Sequence, residues 1–216
     1  MATAPLDDAV APPPALPLPK TSRGERTRQR ILDAAERDIG RRGFSEASIS
    51  TITQEAAVAQ GTFYLYFRSK EDVMRELVLR MGRRLRRHLT QATAGLKDRL
   101  EIEKRGLQAF LSFVRDNPNL YRVVAESQFV DEVAYQRYYH DFANNYRQAL
   151  SEAEGVGQLS PGDAELRAWA LMGISDFIGR RYALWDKDAS IEAVTEAAFA
   201  FISRGIAPKL PEGKAP

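Results

Sequence analysis

The sequence predicts an all-α protein, with an N-terminal three-helix domain that contains a helix-turn-helix and a larger helical domain behind it. Two observations predict the class and a third predicts the division. From Arg26 onward, apolar residues recur at three- and four-residue spacing, the period of one helix face. No stretch alternates apolar and polar residues as a half-buried strand would. Between residues 44 and 72, two short helical segments flank a tight turn ahead of a much longer helix.

The elements follow in order. Residues 1–20, rich in Pro and Ala, read as a disordered tail, and residues 209–216 as a second one. The first helix carries Ile31, Ala34, Ala35 and Ile39 on one face and stops at Gly43, after Arg41-Arg42. Ser48 is a suitable N-cap for a short helix from about Ile49, and a second short helix spans about Gln60 to Phe67. Ser69-Lys70-Glu71-Asp72 is a capping box with Asp in place of Glu, and it opens a helix that runs to about Ala94.

Leu100, Leu107, Phe110, Leu111 and Val114 form the next stripe, ended by Asn117-Pro118. Tyr135, Tyr138, Tyr139, Phe142, Tyr146 and Leu150 form another. Residues 155–162 read as a loop in which Pro161 suits a first helical position. Two last helices run from about Asp163 to Trp185 and from about Ser190 to Gly205.

Composition narrows the function. The chain has 216 residues and no cysteine, which excludes disulfides, thiolate metal sites and cysteine nucleophiles. Its two histidines, His88 and His140, stand apart from any carboxylate cluster with metal spacing, and there is no P-loop, Gly-x-Ser-x-Gly elbow or glycine-rich dinucleotide fingerprint. The expectation is a non-enzyme with no catalytic residues, cofactor or metal. No apolar run approaches the roughly 18 residues of a membrane span. The start of the chain lacks the basic and apolar regions of a signal peptide, so a cytoplasmic protein without membrane contact is expected.

The net charge of +2 conceals an asymmetry. Residues 20–87 carry 16 Lys/Arg against 9 Asp/Glu, a net of +7, whereas residues 88–216 carry 15 against 18, a net of −3. A basic stretch beside a mildly acidic body points to a polyanionic partner for the first part. In the helix-turn-helix, Ile49, Ile52, Ala56, Val58, Phe63 and Phe67 supply a small core, which frees Gln60, Thr62, Tyr64 and Tyr66 to face outward. A short helix with such a polar, aromatic face suits contact with phosphates and base edges.

Those residues carry a family resemblance. The run AAVAQGTFYLYFRSKEDV (56–73), with RILDAAERDIGRRGFSEASI (30–49) upstream, resembles the DNA-reading segment of TetR (tetracycline repressor)-family regulators. The resemblance is specific over residues 27–73. It implies a helix-turn-helix domain at 21–70 and a helical effector-binding and dimerisation domain at 71–208. It also implies a homodimer on a palindromic double-stranded operator, with repression as the usual mode. By matching positions, Thr62, Tyr64, Tyr66 and Lys70 look like phosphate contacts. Ser50 and Gln60 stand where bases are often reached, and Ser48 joins them on the DNA side. Two departures are Ala57, where the turn usually has Gly, and Thr53, where the first helix usually has Ala. An alanine in a left-handed turn costs on the order of 1 kcal/mol, so the turn is either right-handed there or strained.

For the body, the resemblance implies two tasks, pairing with a second subunit and enclosing a small molecule. Leu166, Ala170, Gly173, Phe177 and Leu184 share a face, as do Val194, Ala197, Ala198, Phe201 and Ile202, which suits a four-helix dimer bundle. The candidate effector residues are Phe110, Phe113, Tyr121, Phe129, Tyr138, Phe142, Trp169, Phe177 and Arg181. Together they suit a largely apolar small molecule, such as a fatty-acyl or aromatic-acid derivative. Two alternatives stand beside this reading. One is a drug-efflux regulator sensing lipophilic cations through acids such as Asp176 or Glu126. The other is a helical interaction module with no DNA target.

Overall fold

The computed structural model describes residues 19–208; nearly all of the two sequence-read tails lies outside them. Among the described residues there are nine α-helices and no strand, as the periodicity predicts. They are α1 (Ser22–Arg42), α2 (Ile49–Glu55), α3 (Gln60–Tyr64), α4 (Lys70–Ala92), α5 (Arg99–Asp116), α6 (Pro118–Ser127), α7 (Glu132–Gly155), α8 (Ala164–Gly179) and α9 (Ile191–Ile206). A π-helical turn, Arg180–Trp185, continues directly from α8.

Local chemistry sets the ends. The Thr21 side chain accepts from the Gly24 N–H at 3.1 Å, so α1 begins before Arg26, and Gly43 ends it at φ 88°, a conformation that favours glycine. Ser48 and Thr51 form a reciprocal capping box at the start of α2. The box expected at Ser69 is half made. The Ser69 hydroxyl accepts from the Asp72 N–H, but the Asp72 carboxylate accepts from the Arg68 N–H instead of that of Ser69.

Two prolines depart from expectation. Pro118 follows the end of α5 but also opens α6, a position where a missing N–H costs nothing. Pro161 is not a first helical residue. Asp163 caps α8 instead, its carboxylate accepting from Glu165 and Leu166.

The chain divides into two compact units. Among the described residues, the first comprises 19–80 together with Arg122–Arg137. Ile31, Ile39, Ile52, Phe63, Met74, Leu77 and Val123 fill its core. Each large side chain so buried contributes about 1.5–3 kcal/mol. Ion pairs join its elements: Arg28 to Glu76 at 3.1 Å, Arg80 to Asp33 at 2.7 Å, and Arg75 to Asp131 at 2.7 Å. The buried Asp38 carboxylate is satisfied by the Thr51 hydroxyl at 2.6 Å and by Arg42 at 3.0 Å.

Among the described residues, the second unit comprises Met81–Tyr121 and 138–208. Here α5 packs against α8 and α9 around Leu107, Leu111, Leu150, Ala168, Leu171 and Ile202. Buried Arg99 pairs with Glu103, which also accepts from the Tyr146 hydroxyl. Burial, then the Glu103 charge, hold that phenol well above the usual tyrosine range. At the π turn, Arg115 of α5 donates to the carbonyls of Tyr182 and Ala189 at 2.9 and 2.7 Å. A π turn disturbs the regular carbonyl pairing of a helix, and this guanidinium supplies donors where α8 ends. Among the described residues, no helix is long and apolar enough to cross a membrane.

Candidate nucleic-acid interface

The helix-turn-helix lies within the first unit, and its inner side is apolar. Ile52, Ala56, Phe63 and Phe67 are buried, with Ile49 and Val58 packed against them. Thr53, where alanine is usual in the resembling family, is buried as well. Its hydroxyl donates to the Ile49 carbonyl at 2.7 Å, so the extra polar atom is satisfied within its own helix.

The turn between α2 and α3 is left-handed at Ala57, where φ is 52°. Of the two alternatives left by the sequence, the strained one holds, because a Cβ there crowds the following carbonyl. Arg30 of α1 braces the turn by donating to the carbonyls of Ala56 and Ala57 at 2.5 and 3.0 Å. The turn amides are also used, Ala57 N–H to Gln54 and Val58 N–H to Thr53.

The outward side carries most of the candidate DNA residues. Ser50, Gln60 and Tyr64 are exposed, Tyr64 with its ring edge-on to Phe63 at 5.5 Å. Thr62 and Tyr66 are half-buried, and Tyr66 packs against the core of the unit. The Tyr66 hydroxyl sits beside the first turn of α1, where a Cβ built on Gly24 would lie 3.5 Å from it. Ser48 is half-buried and committed to its capping box.

Lys70 differs from the others. Its ammonium donates to the carbonyls of Phe44 and Ala47 at 2.5 and 2.6 Å and stands 4.2 Å from the centre of the Phe44 ring. Two of the three N–H donors of a lysine are therefore used to tie the 44–47 loop to the start of α4. The same loop is held from α6, since the Phe44 N–H donates to Glu126 at 2.5 Å. Sequence reasoning missed Arg30, Glu126 and the internal role of Lys70, because their acceptors or donors are backbone atoms with no sequence signature.

The candidate effector residues are only partly brought together. In the second unit, Tyr138 and Phe142 stand 5.2 Å apart, with Arg86 5.2 Å from the Phe142 ring. Trp169 meets His140 at 5.3 Å, and buried Phe113 meets His88 at 5.4 Å. Phe110 lies against Gly179, where a Cβ would approach its ring to 3.2 Å. Buried Tyr121 donates to Asp176, which also pairs with Arg180 at 2.9 Å. Burial, then that hydrogen bond, push the Tyr121 phenol up. Phe177 is exposed, and Arg181 is half-exposed and paired with Asp186 at 3.2 Å. Phe129 belongs to the first unit, where it is 88% exposed beside a cleft of about 400 Å³ lined also by Phe44, Glu71 and Glu126. Among the described residues, no group of three or more His, Asp or Glu could hold a metal ion.

Comparison with known proteins agrees with this geometry. Residues 31–77 match the profile of bacterial regulatory proteins, tetR family. Over 66 residues the chain is 41% identical to the uncharacterized HTH-type transcriptional regulator YdgC of Bacillus subtilis (strain 168), a stretch that covers 31% of this chain and 34% of that relative. The chain therefore matches only about a third of the length of this curated relative. Similarity of fold extends much further. The fatty acid degradation regulator FadR of Bacillus halodurans superposes with a TM-score of 0.71 at 23% identity, over 82% of this chain and 94% of that one. The transcriptional regulator FadR of Bacillus subtilis, solved in complex with stearoyl-CoA, gives 0.73 at 22% identity, over 82% and 98%.

Proposed function

We propose, from the match of residues 31–77 to the tetR family of bacterial regulatory proteins, that this chain is a ligand-responsive repressor of transcription. In this reading a homodimer binds a palindromic operator, and a small apolar effector releases it. The observation that carries the DNA half is the two-sided character of α3. Phe63 is fully buried in the core of the unit, while Gln60 and Tyr64 face solvent within the segment of net charge +7. A five-residue helix is too short to persist alone. Its outward polar face is thus presented by a scaffold, as a helix entering the major groove requires. The test is a mobility shift with operators selected from random duplexes. A sharp complex that survives excess random DNA supports the reading, and uniform salt-sensitive smearing on every duplex counts against it.

The effector reading rests on the second unit. Its aromatic contacts at Tyr138–Phe142 and Trp169–His140 supply apolar surface with polar edges, the usual make-up of a ligand pocket. Asp176, the acid in this unit that a lipophilic cation would seek, already has Arg180 and Tyr121 as partners. An anionic or neutral apolar ligand, of the fatty-acyl or aromatic-acid kind, is favoured over a cation on that ground. The similarly folded Bacillus subtilis regulator holds stearoyl-CoA, which makes acyl-coenzyme A thioesters the first compounds to try. Release of DNA requires the effector to bind the DNA-incompetent form more tightly. Thermal-shift and DNA-release assays with acyl-coenzyme A, free fatty acids and lipophilic cations test this. Stabilisation by cations alone would overturn the anionic version.

A further inference from the structure

Among the described residues, no contact within the chain explains Gly61 of α3 or Leu65, the residue that caps its C-terminal end. Gly61 sits inside the helix without the positive φ that would require glycine, and a Cβ built on it would meet nothing within 4 Å. Glycine is the poorest helix former after proline, so the chain itself gains nothing from it there. Leu65 follows one turn later with right-handed backbone (φ −73°, ψ −20°) and is 70% exposed. It stays out of the core that its neighbours Phe63 and Phe67 fill. Residues four apart on a helix lie one above the other, so the bare backbone of Gly61 and the side chain of Leu65 share one face.

We propose that Gly61 and Leu65 together read a thymine in the major groove, with Leu65 packing on the 5-methyl group and Gly61 permitting the close approach. The proposal rests on the DNA-binding reading above and adds a base-specific contact to it. The occupant follows from position. The patch is continuous with the exposed hydrogen-bonding residues Gln60 and Tyr64, and among the described residues nothing lies within 4 Å of a Cβ built on Gly61. In the major groove the only apolar group that a base edge offers is the thymine methyl. A single exposed leucine is ordinary by itself. One aligned with a side-chain-free turn on a polar reading helix forms a shape that a methyl group fits.

The experiment uses the full chain and the duplex recovered from random-sequence selection. Each thymine is replaced in turn by deoxyuridine, symmetrically in both half-sites, which removes the methyl and nothing else. The wild-type chain is expected to lose affinity at one thymine position, by about fourfold per half-site, the worth of one buried methyl group. Leu65→Ala should bind the thymine and deoxyuridine duplexes alike at that position. Gly61→Ala should melt no lower than the wild type, because alanine favours helix, yet bind the selected duplex more weakly. Wild-type indifference to every deoxyuridine replacement, or a Leu65→Ala variant that still prefers thymine, would overturn the proposal while leaving the DNA-binding reading standing. A chain that selects no duplex at all would overturn both.

Discussion

The Arg30 guanidinium, on the first helix, reaches across to the Ala57 carbonyl at 3.0 Å and so braces a left-handed alanine from a distant part of the chain. The two residues are physically linked. Ala57 brings strain into the helix-turn-helix turn, and Arg30 stabilises the conformation that carries it.

Removing the strain should stabilise the protein. Ala57→Gly is expected to raise stability by about 1 kcal/mol, since glycine reaches positive φ without penalty. Removing the brace should do the opposite. Arg30→Met leaves the carbonyls of Ala56 and Ala57 without that donor and, at this exposed position, should cost about 0.5–1.5 kcal/mol. Urea titrations followed by circular dichroism measure both changes. A neutral Ala57→Gly would mean that the turn relaxes in solution to a right-handed form.

Lys70 and Tyr66 should separate positioning from DNA contact. Lys70→Met removes the donors to Phe44 and Ala47, so its first effect is a lower melting temperature without DNA, by the equivalent of about 1–3 kcal/mol. Weaker binding to all duplexes should follow from the loosened loop. Tyr66→Phe keeps the ring and its packing, so the melting temperature should hold while affinity falls across sequences. A Lys70→Met variant with unchanged melting but a salt slope reduced by about one would identify the lysine as a plain phosphate contact.

The helix-turn-helix was legible in the sequence because its signals are local. Ser48 caps, Phe63 and Phe67 bury at helical spacing, and Ala57 marks the turn as unusual. What escaped depends on distant partners. Pro118 read only as a stop, since nothing in its neighbourhood distinguishes a terminator from the first residue of α6. The π turn at Arg180–Trp185 is met by Arg115, whose acceptors Tyr182 and Ala189 are backbone carbonyls far along the chain. Aromatic periodicity found the stripes but not their surroundings. The same spacing that places Tyr121 inside leaves Phe177 exposed and puts Phe129 in the other unit.

Acid should weaken one surface cluster in a defined direction. Burial raises the Glu55 carboxyl, but hydrogen bonds from Arg37 and Arg41, at 2.7 and 2.6 Å, outweigh it and hold the group below its ordinary value of 4.5. A depressed folded-state value means stability that is present above 4.5 and lost as pH falls through the folded value. Both arginines are half exposed, so the contribution is only about 0.2–1 kcal/mol. Glu55→Gln should therefore reduce stability slightly at neutral pH and not at all well below pH 4.5. An equal deficit at both extremes would assign the effect to packing and not to charge.

The apolar surface of the last helices leads to the final prediction. Leu166 and Phe177 of α8, Trp185 of the π turn and Phe201 of α9 are all large and exposed. Exposed apolar residues on these elements favour association, and a second copy of the chain is the partner that the proposed two-fold operator binding needs. Gly173 tests this without disturbing the fold, since a Cβ there meets nothing within 4 Å and leucine is the better helix former. Gly173→Leu should keep or raise the melting temperature of the isolated chain, because no intrachain neighbour is displaced. If the helices pair closely at Gly173, the same change should shift sedimentation from dimer to monomer and abolish cooperative binding to a palindrome. Half-site affinity should survive, because α3 and its supports are untouched. A Gly173→Leu chain that sediments as a dimer and binds the palindrome undiminished would place the pairing surface elsewhere. Phe177→Glu, on an exposed position of the same helix, then distinguishes a shifted α8 interface from one that does not involve α8 at all.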